Sequence, residues 1–373
     1  MEELYDWMEI LQDHRQPAKV RHKLKDVVLI VLFATLANAE SWEEIGDFAK
    51  YHEEYLRRYI DLPNGVPSHD TIQRVMAMID PEQFQQLQVR WQELLNRGEG
   101  EKIKKIICID GKTMRSSSQN GEKPIHIVSA WCKEDGYCLG QKAVEEKSNE
   151  ITAIPEVLDK INIKGQVVTI DAMGTQTAIV EKIRSKRGDY VLALKGNQGS
   201  LYEDVRLYFA DEAVLRELRE AGQYYKKIEK AHGQIEVREY YQTDCIHWLH
   251  QRSKWKGLKT VIFEKKTIKR EEKTVVDQRY FISSLPLDIL LACRAVRGHW
   301  AIESMHWHLD VTFKEDANTT LDKISAQNLN IIRKWSLSIL KLLDIRGTKM
   351  SLRRKRFNIG MGPIEYLEKM LTI

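Results

Sequence analysis

Ile106-Ile107-Cys108-Ile109-Asp110-Gly111 is the stretch whose reading decides the fold. Its unbroken apolar residues, too few for a helix and ending on Asp-Gly, predict a strand buried on both faces that opens into a loop. A second run, Val167-Val168-Thr169-Ile170, closes on Asp171 in the same way. Between the two, residues 125–132 and 137–144 read as strands joined by Lys133-Glu134-Asp135-Gly136, whose Asp-Gly is a hairpin signal. Residues 150–161 read as a helix, residues 175–185 as another, and residues 190–194 as a fifth strand leading into Lys195-Gly196-Asn197-Gln198.

The order is three strands joined by hairpins, then helix, strand, helix, strand. It predicts the α/β class and a ribonuclease H-like core, a mixed five-stranded sheet flanked by helices, with the first and fourth strands parallel neighbours. Both of those strands end in Asp.

Upstream, residues 1–95 predict an all-helical N-terminal domain. Residues 27–36 are apolar on nearly every face, as in a buried central helix. Ser41 caps a second helix with Glu44 as its capping-box partner. Ser68 or Asp70 caps a third, and Pro81 opens a fourth. The four suit a helix-turn-helix or a packing bundle equally. Residues 96–102 form a polar, Gly-containing linker. Downstream, residues 201–285 break the α/β rhythm: a charged helical stretch at 201–221 precedes strand-like segments at 224–227, 236–242, 259–264 and 275–282. They predict a mostly β insertion subdomain. Helical stretches at 286–298, 302–315 and 325–343 return the chain to the core, which thus spans 103–200 and 286–345. Residues 346–373 form a tail carrying the basic run Arg353-Arg354-Lys355-Arg356.

The chain has 373 residues, enough for two or three compact units, with 43% hydrophobic and 30% charged residues as in ordinary globular proteins. A net charge of +4 permits nucleic-acid binding without demanding it. The five cysteines never form a C-x-x-C pair, which sets aside a disulfide framework and a cysteine zinc site and fits a reducing cytosol. The longest apolar run is too short to span a bilayer, and no signal-peptide pattern opens the chain, so a cytoplasmic protein with no membrane partner is expected.

Adjacent strands lie ~4.8 Å apart. Two carboxylates at their ends repel unless positive charge lies between them. Two Mg²⁺ ions, with Mn²⁺ as a substitute, are one solution, clamping the attacking and leaving oxygens of a phosphoryl transfer. Asp110 and Asp171 are placed for this. Glu303 is the candidate third acid, on a helix where residues 303, 306, 307 and 310 share one face. Each acid alone is more often a turn, cap or solvated residue; their conjunction is what points to a metal-dependent phosphodiester enzyme. His299, His306 and His308 do not make a zinc site, because His308 points away from the other two. Lys112, Arg115, Lys195 and Asn197 fall at strand ends on the active-site edge, where they are candidate phosphate contacts.

These motifs resemble those of the H-repeat-associated proteins, a branch of insertion-sequence DDE transposases. The resemblance runs from Leu62-Pro63-Asn64-Gly65 through Ile109-Asp110-Gly111-Lys112-Thr113, Glu146-Lys147-Ser148-Asn149-Glu150-Ile151-Thr152, Thr169-Ile170-Asp171-Ala172-Met173-Gly174 and Leu194-Lys195-Gly196-Asn197-Gln198. It continues with His232-Gly233 and Arg297-Gly298-His299-Trp300-Ala301-Ile302-Glu303, and ends with His306-Trp307 and Leu309-Asp310-Val311. It implies a ribonuclease H-like core with a β insertion before the last acid, and Asp110, Asp171 and Glu303 as catalytic metal ligands. It further implies Mg²⁺-dependent cleavage and strand transfer at the ends of an insertion sequence, with double-stranded DNA as partner, a homodimer when ends are paired, and no small-molecule cofactor. Better-known relatives carry a Tyr-Arg-Glu-Lys signature around the last acid. Here its Arg and Lys positions hold His299 and Asp310, so those roles do not carry over, and Arg297 and His299 become the candidate DNA contacts. The rival expectations are a domesticated or inactive copy that only binds DNA, and a nuclease or resolvase that cuts without joining.

Overall fold

A computed structural model describes all residues except 1, 96–102, 119–122, 145–148, 232, 272, 346, 348, 363–365 and 368–373. The linker 96–102, Glu146-Lys147-Ser148 at the start of the 146–152 motif, and His232 thus lie outside the described residues. The strands are β1 (Ile106–Met114), β2 (Ile125–Cys132), β3 (Tyr137–Ala143), β4 (Val167–Ile170), β5 (Asp189–Leu194), β6 (Tyr224–Ala231), β7 (Gln234–Thr243), β8 (Thr260–Arg270) and β9 (Lys273–Ser283). Among the described residues they form one sheet in the order β3-β2-β1-β4-β5-β9-β8-β7-β6. β1, β4 and β5 are mutually parallel, and β2 and β9 pair antiparallel to β1 and β5. The four strands of residues 201–285 continue this sheet through the β5–β9 pair rather than forming a second one.

The N-terminal helices are α1 (Glu2–Trp7), α2 (Leu24–Leu36), α3 (Trp42–Tyr51), α4 (Glu53–Leu56), α5 (His69–Met76) and α6 (Pro81–Leu95). α7 (Glu150–Lys160) and α8 (Thr177–Ser185) follow β3 and β4; α9 (Ser200–Ala210) and α10 (Glu212–Glu220) follow β5. α11 (Ile289–Gly298), α12 (Trp300–Val311), α13 (Lys323–Leu342) and α14 (Leu352–Met361) close the chain.

Strand alternation divides the interior in two. Ile106, Cys108, Val167 and Val191 face a core built from α2–α6 and α11–α13, while Ile107, Ile109, Val168 and Leu192 face one built from α7–α10. α2 is apolar all round because it is buried all round, packed on α13. Ser41 and Glu44 form the capping box of α3, and Ser68 rather than Asp70 caps α5. Asn328 on α13 donates to the carbonyls of Met76 and Ile79 at 2.7 and 2.8 Å, tying the end of α5 into the same core.

One local expectation changes and others gain detail. β1 does not open into a loop at Asp110: β4 stops at Ile170, but β2 continues to pair β1 out to Met114. The charged stretch after β5 is two helices, because Asp211 leaves helical backbone and caps α10 by accepting from Ala213 N. The basic run 353–356 is also helical, within α14. Lys355 caps the C-terminal end of α13 by donating to the carbonyls of Leu340 and Leu343, and buried Arg356 donates to those of Thr35, Ala39 and Thr312. No described helix is long and apolar enough to cross a membrane.

Candidate active site

Parallel pairing of β1 with β4 sets Cys108 opposite Thr169 and Ile109 opposite Ile170. Asp110 and Asp171 are therefore the next residues on two neighbouring strands. There the strands part. Asp171 Oδ1 accepts the N–H groups of Met173 and Gly174, each at 3.0 Å, and its carbonyl accepts from Thr175 Oγ1 at 3.1 Å. Gly174 allows this tight turn, since a Cβ there would lie 2.3 Å from Ile170 Cγ2. Asn197 Nδ2 and Gln198 Nε2 donate to Ala172 O at 2.8 and 2.7 Å. The turn after β5 thus clamps the loop that carries Asp171.

α12 lies over β1 and brings its polar face to the rim of the sheet. Glu303 is exposed in its first turn. One turn on, His306 Nδ1 stands 3.6 Å from Asp110 Oδ2, and a further turn on Asp310 pairs with Lys112 at 2.8 Å. The predicted face thus meets β1 through residues 306 and 310, whereas Glu303 is exposed and Trp307 is 55% exposed. Burial, then the charges of Asp171, Glu150 and Glu303, push the Asp110 carboxyl up to about 7 against the Gly111 N–H. Burial and the nearby cations Lys334 and Lys112 push His306 down to about 3, leaving a neutral imidazole at physiological pH. Its Nε2 is buried and unpartnered among the described residues.

Among the described residues, no three His, Cys, Asp or Glu side chains are gathered closely enough to form a ready metal cluster. The acids act on one another through charge without being drawn together. Hard carboxylate oxygens, one of them held half-protonated near neutrality by burial first and by the neighbouring negative charges second, are nevertheless a donor set that fits a hard divalent cation.

The candidate phosphate contacts divide. Lys112 is only 10% exposed and is ringed by Asp310, Glu315 and Asp316 at 2.8, 3.2 and 3.2 Å, so its charge is spent inside the protein. Asn197 is engaged with the Ala172 carbonyl. His299 is turned inward, its Nδ1 sharing a hydrogen with Thr169 Oγ1 at 3.1 Å; burial pushes it to about 4 despite the Asp171 charge, so it is not a surface cation. Arg115, with its side chain 84% exposed, and Lys195 reach solvent. Arg297 is also exposed and shares the Trp300 ring with Arg279 and Lys266, at 5.5, 5.3 and 5.7 Å from its centroid.

Two residues escaped the sequence reading. Glu150, the first residue of α7, turns back so that Oε1 lies 2.7 Å from His126 Nε2, while His126 Nδ1 lies 2.8 Å from Thr113 Oγ1. The pair crosses Gly111, where a Cβ would stand 2.3 Å from both Glu150 Oε1 and His126 Nε2. The available signal was His126 itself, a lone polar residue between Ile125 and Ile127 on a strand otherwise built for the core.

A family model described as a transposase DDE domain matches residues 101–339, and one described as DDE_Tnp_1-associated matches residues 5–92. The "Putative transposase YncI" of Escherichia coli O157:H7 is 38% identical over 380 residues, covering 100% of this chain and 95% of that one. The "H repeat-associated putative transposase YhhI" of E. coli K12 is 37% identical over 381 residues, covering 100% and 98%. Among solved structures, a piggyBac transposase synaptic complex with hairpin DNA aligns with 100% of this chain and 79% of its own, at 12% identity and a TM-score of 0.45.

Proposed function

The chain belongs to the DDE transposase family, alongside the H repeat-associated proteins, and on that premise we propose that it is a metal-dependent polynucleotidyl transferase that cuts and joins DNA at insertion-sequence ends. The observation that supports the reading is the register of β1 with β4, whose last pair, Ile109 with Ile170, is followed by Asp110 on β1 and by Asp171 just past the end of β4, with the Glu303 helix packed on β1. The order β3-β2-β1-β4-β5 supports a ribonuclease H-like core. Asp110, Asp171 and Glu303 are the residues to hold Mg²⁺, or Mn²⁺ in its place. When bound, such ions supply an activated nucleophile and charge stabilisation at the transferring phosphate.

The chain's own contribution is placement. The turn after Asp171, clamped from β5, fixes one acid; β1, paired on both sides up to Ile109, fixes another. Neutral His306 packs beside Asp110 without adding a competing cation, so the negative charge at the strand ends is retained. Exposed Arg115, Lys195 and Arg297 supply positive charge for the phosphates of double-stranded DNA. A homodimer that pairs two element ends completes the reading.

The test uses DNA bearing the element's terminal repeats. With Mg²⁺ the protein nicks the repeat end and transfers it into a target plasmid; with Ca²⁺ it binds without cutting. Cleavage without transfer would make it a nuclease or resolvase, and binding without cleavage in Mg²⁺ an inactive DNA-binding copy.

A further inference from the structure

We propose that strands β6–β9 carry a second duplex-binding face, a row of β-branched side chains that sits in the minor groove with a row of lysines gripping the backbone on either side. The proposal rests on the reading of the chain as an enzyme of double-stranded DNA, and it adds to that reading a grip separate from the Asp110 and Asp171 edge.

The pairing register lays this face out. Tyr241, Phe263 and Tyr280 lie in one row across β7, β8 and β9 and close the core built from α7–α10. Side chains alternate along a strand, so this face continues in steps of two residues toward the β8–β9 turn. Its second step is the row Ile228, Val237, Thr267 and Val276, whose end residues Ile228 and Val276 are 57% and 51% exposed. The first step places Lys226 and Lys265 on one side of that row. The third places Lys230 and Lys269 on the other.

The two faces of these strands treat their cations differently. On the face that α11 adjoins, Lys227, Arg238 and Lys266 each pair with a glutamate, at 2.8, 2.5 and 3.3 Å. None of the four lysines on the other face has an ion-pair partner among the described residues. Glu239, between Lys226 and Lys265, is the one acid in the lysine rows and accepts from Tyr224 Oη at 2.9 Å. The face therefore keeps a net positive charge around an exposed apolar row. That suits a polyanion with an apolar centre, and it sets a second copy of the same face against its own charge. Spacing selects the polyanion. The lysine rows stand four residues apart along the strands, ~14 Å. A minor groove ~6 Å wide fits between them with a phosphate backbone against each row, whereas the major groove is ~12 Å wide before its backbones are added. The β-branched row then meets the groove floor, and the lysines neutralise phosphates of both strands.

The test is a fluorescence-anisotropy titration of a short A·T-rich duplex with the full chain across salt concentrations, with thermal melting as a control. Lys226→Gln/Lys230→Gln/Lys265→Gln/Lys269→Gln should lower the salt slope by ~3–4 and weaken binding ~10–100-fold. Ile228→Asn/Val276→Asn should weaken it ~10-fold with the slope unchanged. Both variants should melt like the parent, because the exchanged side chains lie on an uncovered face. Netropsin, which fills the A·T minor groove, should bring the parent down to the affinity of the lysine variant. Parental slope and affinity in the lysine variant, with Arg115→Gln/Lys195→Gln/Arg297→Gln weakened, would overturn the second face and leave the enzyme reading in place. A gap between parent and lysine variant that persists in netropsin would overturn the minor-groove seat. Dissociation of a parental dimer by Ile228→Asn/Val276→Asn in sedimentation, with duplex binding unchanged, would make the face a self-interface and overturn the proposal. A parent that binds no duplex would remove the enzyme reading itself.

Discussion

Lys112→Met separates a structural role for the rim of β1 from a DNA-binding one. The ammonium stands 2.8 Å from Asp310 and 3.2 Å from each of Glu315 and Asp316, and the Glu315 side chain is wholly buried. Methionine keeps the stem and removes the charge. Glu315 Oε2 loses its cation, while Oε1 keeps Asn330 at 2.8 Å and Arg333 at 3.6 Å. Removing one partner of a buried pair costs ~3–5 kcal/mol, and the surviving contacts set this case near the lower end, about 3 kcal/mol. The half-exposed Asp310 and Asp316 contribute at most ~1 kcal/mol each. If the chain melts as one unit, an unfolding entropy of roughly 0.8 kcal/mol/K for its length converts 3 kcal/mol into about 4 °C. Burial draws the Lys112 pKa down, but Glu315, Asp310 and Asp316 together hold it above the usual lysine value. Its stabilisation is therefore fully present at neutral pH and is lost only as pH rises beyond the ordinary lysine range. The deficit of the variant should also shrink at acid pH, where Asp310, whose carboxyl burial pushes above its ordinary value, takes up a proton. The assay is calorimetric melting at pH 7.5 and 4.5, with Lys112→Met/Glu315→Gln recovering part of the loss. A variant that melts within ~1 °C of the parent, yet loses about one from its DNA-binding salt slope, would refute the reasoning and return Lys112 to the phosphates.

Further predictions concern the surrounding residues. Lys195→Ala should lower the salt slope of DNA binding by ~1, whereas Asn197→Ala should leave the slope unchanged and slow cleavage, because Asn197 holds the Asp171 loop; gel-shift titrations across salt concentrations and single-turnover cleavage read the two. Asp110 carries a folded pKa raised to about 7, so its ionisation destabilises the metal-free fold as pH rises from ~4 through 7. Asp110→Asn should accordingly raise the metal-free melting temperature at pH 8, by something on the order of 1–3 kcal/mol in stability, and leave it unchanged at pH 4; equal effects at both pH values would contradict this. Arg356→Met removes the buried donor to the carbonyls of Thr35, Ala39 and Thr312, and should cost ~2–4 kcal/mol in urea unfolding with DNA affinity intact; the reverse pattern would make the basic run a DNA clamp.

Much of this site is legible in the sequence because it rests on local signals. An apolar run ending in Asp places Asp110 and Asp171, and strand order predicts that their strands are neighbours. A helical period places His306 and Asp310 on the Glu303 side of α12. What could not be read is which charges find one another across the chain. Lys112 looks like a free cation at a strand end until α12 and the turn after it, some 200 residues later, supply three carboxylates. Asn197 and His299 look available until Ala172 and Thr169 engage them. Arg353-Arg354-Lys355-Arg356 reads as a uniform basic patch, yet its third and fourth residues are capping groups for carbonyls 12 to 321 positions away. The continuation of β1 past Asp110 was missed for a related reason: its pairing is set by β2, not by its own apolar pattern, which ends at Ile109.

The most direct test of the account is strand cleavage by Asp110→Asn and Asp171→Asn on terminal-repeat DNA in Mg²⁺, measured beside DNA affinity in the same buffer. The account predicts that each substitution lowers the cleavage rate by ~10³-fold or more, the scale expected when charge stabilisation at the reacting phosphate is removed, while DNA affinity stays close to that of the parent. Cleavage at the parental rate by either variant would contradict it.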